Sequence, residues 1–285
     1  MSDNPLINIG ELSKPATVLI EKISDAIGGV FKPYQIKRIA KAEAEASLIR
    51  TKAEIEISQI TQRAMHRFIE EETKKQNNIE EITQKAIPKL SDNSKPENIE
   101  NDWISNFFDK CRLISDQEMQ DLWASILSEE ANHPNSISKR TINFLSTMDK
   151  IDAQRFTLLC KFCWITDMIF PIILNPENDI YNKNGIGFGV LKHLESIGLI
   201  SYGDKEGFNI SNNSNKFVAH YFGKTVLITL PQNYTGLYIG LVFLTRVGQD
   251  LARICNPTPE NDFYDYIINH WEKNGFEIKE ISIDQ

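Results

Sequence analysis

The sequence predicts a mainly α-helical protein with a small α+β part towards its carboxyl end. Three observations support this prediction. Apolar residues recur at a period of about 3.6 residues through the first third of the chain, as on one face of a helix. Several shorter helical patterns with polar capping residues follow a linker. In the last third, short extended segments alternate with short amphipathic helices.

The composition is that of an ordinary soluble globular protein. The chain has 285 residues, of which 41% are hydrophobic and 25% are charged. There is no apolar run of 18 residues, and no cationic start leads into an apolar region. Four cysteines in a chain of this length do not suggest a disulfide framework. We therefore expect a cytoplasmic protein that could lie peripherally at the inner membrane.

Changes in pattern divide the chain into three predicted parts. Residues 1–92 would hold an amphipathic helix followed by a long extended helix. A polar linker at Leu90–Asn101 leads to a helical bundle over 93–175. Residues 176–285 would form a winged-helix-like α+β module, because the spacing of leucines and glycine in Leu191–Ile200 is common at the end of the second helix of such domains.

The first helix is predicted to begin at Ser13-Lys14-Pro15 and to carry one apolar face. A basic cluster follows it. An amphipathic helix next to basic residues can lie on an anionic membrane. The alternative is packing on the protein's own core, which the mixed charges of the polar face favour. The residues of the face are Leu19, Ile20, Ile23, Ile27 and Phe31, and those of the cluster are Lys32, Lys37, Arg38 and Lys41.

The second helix is predicted to run between Pro33 and Pro88, because no proline or glycine interrupts that stretch. Its apolar stripe weakens over Glu70–Asn78, where we expect a hinge or an exposed span, and it returns at Ile79. Such a helix would be about 80 Å long, and a monomer of this size could not cover it on all sides. We expect it to join copies of the chain in a homo-oligomer. The stripe proposed for this contact includes Ile49, Ile57, Ile60 and Phe68.

The middle and last parts contain shorter elements. Ser115–Glu118 has the form of a capping box that opens a helix. A further helix is predicted from Asp152 through Cys160, Cys163 and Phe170 to a stop at Pro171, which would bury both cysteines. Extended segments at 225–230 and 237–244 and an alternating edge strand at 276–281 complete the chain.

Chemical motifs are sparse. One loop gathers a candidate acid, base and anion clamp, which could serve a hydrolase or nuclease, although a solvated loop between two helices would have the same composition. The five histidines show no i, i+4 pair, and the two nearby cysteines have no second pair, so we expect no metal and no cofactor. The sequence favours a protein that is not an enzyme. The loop residues are Glu130, His133, Lys139 and Arg140.

The charge distribution argues against nucleic acid as the main partner. Residues 1–92 contain 14 basic and 14 acidic residues, whereas the remainder contains 17 basic and 25 acidic residues. An acidic body repels nucleic acid at long range. A nucleic-acid-binding regulator with a winged-helix domain stays an alternative, and it would have to use the basic cluster.

Two resemblances to bacterial families add to this picture. Glu118–Leu127, His133-Pro134 and Phe144–Ala153 resemble abortive-infection proteins of the Abi-alpha type. More of the chain resembles a family known as a domain of unknown function, DUF2806. Its matching stretches are Lys14–Glu45, Asp102–Arg112, Ser138–Thr141 and Leu244–Leu251. Together the resemblances imply a bacterial protein in phage defence, with a phage or host protein as its trigger and with no catalytic residues to carry over.

Overall fold

A computed structural model describes residues 12–27, 59–211 and 214–281. Within these ranges the protein is mainly helical with a small β part, as predicted. The chain forms two compact units, residues 1–146 and 147–285, which are described separately as unit 1 and unit 2. The predicted boundaries at 92/93 and 175/176 each fall inside a unit rather than between the two.

Unit 1 is helical in its described residues. Single 3₁₀ turns at Ile87–Lys89 and Pro96–Asn98 connect the second helix to the third. The α-helices are α1 (Lys14–Ile27), α2 (Gln59–Ala86), α3 (Asn101–Cys111), α4 (Gln117–Asn132) and α5 (Lys139–Leu145).

Helix α1 starts where the sequence predicts. The Ser13 hydroxyl accepts a hydrogen bond from the Ala16 amide at 3.4 Å, and the Ser13 carbonyl accepts one from the Thr17 amide at 3.0 Å. The apolar face of the helix packs against α3 and the turn at Pro96–Asn98. At its end, the Ser105 hydroxyl donates to the Ala26 carbonyl at 3.1 Å.

This packing corrects the prediction of a membrane or partner face on α1. Leu19, Ile20 and Ile23 are buried against the protein's own helices, so the core-packing alternative describes them. Ile27 is partly exposed at the end of the helix, and Phe31 lies outside the described residues.

Helix α2 is held at its carboxyl end by α4. Asn78, Ile79, Ile82, Thr83 and Ala86 are buried, and the helices α2 and α4 are in extensive contact. This contact joins residues on both sides of the predicted boundary at 92/93. The predicted return of the apolar stripe at Ile79 is therefore confirmed, and it is the point where the helix enters the core.

Aromatic residues of α3 and α4 fill the centre of unit 1. Trp103 stacks on Phe107 at 5.2 Å, and Phe107 contacts Trp123 edge-on at 5.1 Å. Helix α4 begins one residue later than the capping-box pattern suggests, because Asp116 rather than Ser115 accepts the Met119 amide at 3.1 Å.

Unit 2 combines helices with three small sheets. The elements are α6 (Lys150–Cys160), β1 (Cys163–Ile165), β2 (Ile169–Pro171), α7 (Asp179–Asn182), α8 (Phe188–Ser196), β3 (Ile200–Tyr202), β4 (Phe208–Ile210), β5 (Lys216–Tyr221), β6 (Lys224–Thr229), β7 (Leu237–Gly240), β8 (Val242–Leu244), α9 (Arg246–Ile254), α10 (Phe263–Lys273) and β9 (Glu277–Glu280). The strands β2, β1, β5, β6 and β9 form one antiparallel sheet in that order, and the pairs β3–β8 and β4–β7 form two others.

The helix predicted through Phe170 is wrong beyond Cys160. The chain instead turns at Thr166, whose amide donates to the Met168 carbonyl at 2.9 Å, and forms the hairpin β1–β2. Residues Trp164, Ile165, Ile169 and Phe170 have high strand propensity, and β1 gains a partner in β5, which is distant in the sequence. This pairing places 163–171 in unit 2 and explains why the predicted boundary at 175/176 falls inside it.

The end of α8 and the last strand follow the sequence patterns. Gly198, with φ of 86°, ends the helix in the left-handed conformation, and β3 begins two residues later. Strand β9 lies at the edge of the five-stranded sheet, as the alternation at 276–281 predicts.

Hydrogen bonds at the start of α9 connect this helix to the end of α8 and to β2. Thr245 caps the helix by accepting the Gly248 amide at 3.1 Å, and its hydroxyl donates to the Gly198 carbonyl at 2.7 Å. The Gln249 side chain bonds both the amide and the carbonyl of Ile169 in β2. A Cβ atom on Gly248 would lie 2.2 Å from the Leu199 carbonyl oxygen. The family stretch Leu244–Leu251 therefore has a structural role.

We expect Gly248→Ala to lower the free energy of unfolding by about 2–3 kcal/mol, because backbone rather than a side chain must move to accept the methyl group. Gly189→Ala is the matched control. It also lies in a helix, but its Cβ would meet nothing within 4 Å, so the variant should be unchanged or about 0.5 kcal/mol more stable. Urea unfolding of both variants measures the difference. Equal stabilities would contradict this account of the α9 contact.

Candidate functional site

Among the described residues of unit 1, the amino-terminal half of α2 holds the largest group of exposed apolar side chains. Every residue from 59 to 74 is exposed. Two large apolar side chains are mostly in water: Ile60 is 71% exposed and Phe68 is 63% exposed. Met65 and Ile69 add to them. Single exposed apolar residues are common, whereas several on one helix mark an interaction surface.

These residues continue the face that α2 buries further along. At about 100° per residue, Ala64 and Met65 project within about 60° of Phe68, and Ile60 within about 80°. Ile82 and Ala86, which are buried against α4, project within about 40° of the same direction. One face of α2 is therefore covered by α4 at its carboxyl end and exposed at its amino end. We call the exposed part, Ile60, Ala64, Met65 and Phe68, the α2 stripe.

Polar side chains beside and behind the α2 stripe pair within the helix. Arg67 Nε lies 3.4 Å from Glu71 Oε1, and His66 Nδ1 lies 3.4 Å from Glu70 Oε2. An exposed ion pair such as Arg67–Glu71 contributes about 0.3–0.5 kcal/mol. Isolated helices of this length are marginally stable in water. The contacts within the exposed half of α2 therefore add little to the stability of the helix.

The remaining members of the predicted surfaces lie outside the described residues. These are Ile49 and Ile57 of the oligomer stripe and all four residues of the basic cluster, Lys32, Lys37, Arg38 and Lys41. Of the predicted stripe, Ile60 and Phe68 are thus the described members, and both are exposed.

The second candidate is the loop between α4 and α5. Glu130 is 2% exposed, and its carboxylate organises the loop. The Asn135 amide donates to Oε1 at 2.7 Å, and the Ile137 amide donates to Oε2 at 2.8 Å. Asn135 adopts a left-handed conformation with φ of 69°, which turns the loop back over the carboxylate. The Trp103 indole donates to the Ile137 carbonyl at 2.8 Å and fixes the other side.

The other predicted members of this site face solvent. His133 is paired with Glu129 at 3.2 Å, and its side chain is 70% exposed. Lys139 lies 3.6 Å from Glu100, and both are largely exposed. Arg140 is exposed. A cavity of about 320 Å³ lies beside the loop, lined by residues that include Glu130 and Lys139. Since both Glu130 oxygens accept hydrogen bonds from the loop, the carboxylate acts as a structural anchor.

One contact in unit 2 lacks a clear sequence signal. His193 Nε2 lies 2.6 Å from Asp152 Oδ1 and links α8 to α6. The residues are 41 positions apart, so no spacing rule could have paired them. A hydrogen bond with Cys163 and burial raise the pKa of the Cys160 thiol, while a hydrogen bond with Cys255 acts in the opposite direction. A raised pKa keeps this thiol protonated and unreactive, which fits the predicted core role of Cys160.

Within the described ranges, no helix is long and apolar enough to cross a membrane. In the same ranges, no group of three or more His, Cys, Asp or Glu residues could hold a metal ion.

A family model described as "Protein of unknown function (DUF2806)" matches residues 62–268, nearly three quarters of the chain. The chain belongs to this family. No curated protein and no solved structure matches it. The DUF2806 region includes the exposed half of α2 from residue 62, the Glu130 loop and the start of α9, whereas α1 precedes it. The predicted family resemblance is thereby confirmed over 62–268, whereas the predicted stretch Lys14–Glu45 lies outside the match.

We expect Glu130→Gln to lower the free energy of unfolding by about 1–3 kcal/mol. An amide group in place of one oxygen would turn a donor towards the half-buried Asn135 amide or the buried Ile137 amide and leave that amide unpaired. Glu129→Gln is the control, because Glu129 pairs only with the exposed His133 side chain among the described contacts of its carboxylate. Equal unfolding free energies for the two variants would contradict the anchor role.

The contribution of Glu130 should also depend on pH. Burial raises the pKa of Glu130, while hydrogen bonds from Ile137, Asn135 and Ser136 act in the opposite direction. Because the pKa is higher in the folded state, this contribution is present below the unfolded pKa of about 4.3 and is lost as pH rises through the folded pKa. The advantage of wild type over Glu130→Gln should therefore decrease with rising pH. An advantage that grows with pH in urea titrations would refute this.

Proposed function

We propose that the protein is a non-enzymatic, self-associating protein and that copies of the chain assemble through α2. The observation that supports this proposal is the exposed apolar face of α2 at Ile60 and Phe68. Burial of a large apolar side chain contributes about 1.5–3 kcal/mol, so a partner on this face would stabilise both the contact and the helix. A second copy of the chain offers the same face.

We further propose that this assembly serves phage defence. The support is the resemblance of Glu118–Leu127, His133-Pro134 and Phe144–Ala153 to abortive-infection proteins. The trigger would be a phage or host protein. Attachment to an anionic membrane would have to use the basic cluster Lys32–Lys41, since the apolar face of α1 is occupied by unit 1.

A winged-helix-like arrangement of unit 2 is part of the proposal. Its support is the order of α6, α7 and α8 followed by the strand pairs β3–β8 and β4–β7. On α8, Lys192 is paired with Glu195 and lies over the Tyr202 ring, whereas Phe188 is 60% exposed. Phosphate contacts need available cations, so this surface favours a protein partner. Nucleic-acid binding is the alternative, and a gel shift that survives about 150 mM salt would support it.

The oligomer prediction is tested by light-scattering mass. The double variant Ile60→Glu/Phe68→Glu should reduce the mass to that of one chain, because it places charges in the apolar contact. Ile151→Glu is the matched control: its apolar side chain is 58% exposed in unit 2, and its loss should leave the mass unchanged. Circular dichroism checks that the variants keep their fold. A wild-type protein that is monomeric at every concentration would contradict the proposal.

The defence role is tested separately with the same variants. Cells that express wild type or Ile151→Glu should reduce phage plating, and cells that express the α2 double variant should not. Protection by the double variant would separate phage defence from α2 assembly and contradict their proposed link.

A further inference from the structure

We infer that two copies of the chain pair through α2 in antiparallel orientation, with Arg67 of each copy against Glu71 of the other. The inference rests on the proposed self-association and adds to it the partner surface, the direction and the register. It follows from how charge is distributed around the α2 stripe.

Arg67 and Glu71 lie on the same flank of the stripe. At about 100° per residue, they project about 100° and 60° to one side of Phe68. The opposite flank holds the uncharged residues Met65, Gln62 and Ile69, together with Glu72, which projects about 40° to that side. Beside the stripe, one flank therefore carries a cation followed by an anion, whereas the other carries the anion Glu72.

The direction of pairing decides which flanks meet. When two copies of one helix pack face to face in antiparallel orientation, each flank meets the same flank of the partner, whereas parallel helices bring opposite flanks together. Antiparallel pairing lets Arg67 meet Glu71 of the second copy twice, once on each side of the two-fold axis. Parallel pairing would bring Arg67 towards Glu72, which Lys75 already holds at 2.6 Å, and would give Glu71 no cation from the second copy.

The charge pairs also set the register. Matching position 67 with position 71 places the two-fold axis opposite residue 69. Phe68 of each copy then lies about 3 Å along the axis from its counterpart, at the rise of 1.5 Å per residue. Ile60 would lie at the level of Asn78, where α2 enters the core of its own unit. Residues 64–74, which are exposed in each copy, would thus lie opposite one another.

The existing contact between Arg67 and Glu71 leaves them available to a partner. Their side chains are 76% and 54% exposed, and Arg67 Nε is 3.4 Å from the Glu71 oxygen. A guanidinium has five donors and a carboxylate accepts several hydrogen bonds, so both groups can keep a neighbour and gain a partner.

The test is a charge exchange followed by sedimentation at several concentrations. Arg67→Glu alone and Glu71→Arg alone should each weaken the dimer by about tenfold, since two attractive contacts become repulsive. An equal mixture of the two variants should form heterodimers with an affinity within about threefold of wild type, because each acidic pair then faces a basic pair. If each variant weakened the dimer only by disturbing contacts within its own helix, mixing the two variants would not restore the affinity.

The matched control exchanges charges away from the stripe. Arg63 and Glu70 project about 140° and 160° from Phe68, on the back of the helix. Arg63→Glu, Glu70→Arg and their mixture should all dimerise as wild type does. The control accounts for the change in net charge.

The outcomes of this test distinguish antiparallel pairing from self-association through α2, on which it rests. Heterodimers restored only for the pair at 67 and 71 support antiparallel pairing. A wild-type dimer that is weakened by Arg67→Glu, indifferent to Glu71→Arg and not restored by mixing overturns the inference and leaves self-association intact. A wild-type monomer, as when another segment of the chain covers the stripe, overturns both.

Discussion

Unit 1 depends on the burial of α2 against α4. Ile79, Ile82 and Ala86 enter the core there, and Asn78 marks the entry by donating to the Arg112 carbonyl at 2.8 Å. The sixteen described residues of α2 that precede Lys75 are all exposed. Because its apolar face does not end where α4 ends, the same periodicity that builds the core also presents an uncovered surface. Structure and proposed assembly thus have one physical origin.

Unit 2 is organised by contacts between residues far apart in the sequence. Gln249 acts as an additional pairing partner for β2, and Gly248 lets α9 approach the Leu199 carbonyl. An aromatic cluster around Trp164, which stacks on Tyr221 and contacts Trp271, fills the space between the large sheet and α10. The motif that carries the DUF2806 resemblance in this unit therefore fixes packing, and it does not indicate a reaction. The same holds for Glu130 in unit 1, whose acceptors are used by the loop.

The sequence predicts what depends on local periodicity. The start of α1, the re-entry of α2 at Ile79 and the Gly198 helix end all follow from spacing or from one residue type. The hairpin β1–β2 could not be predicted in this way, because an apolar run fits a buried helix as well as a strand until β5 is known to pair with it. Nor could spacing show that Leu19 and Ile23 face α3 rather than a membrane. For the Glu130 loop, the residue types were visible, but their anchoring role depends on which backbone amides reach the carboxylate.

Self-association through α2 is tested most directly by hydrogen exchange at the backbone amides of residues 60–73. An exposed helical segment of this length opens readily, so strong protection requires a partner. Over about a hundredfold range of protein concentration, the account predicts that exchange at these amides slows as concentration rises, while amides of α4 stay equally protected throughout. Exchange that is the same at every concentration would contradict assembly through this helix.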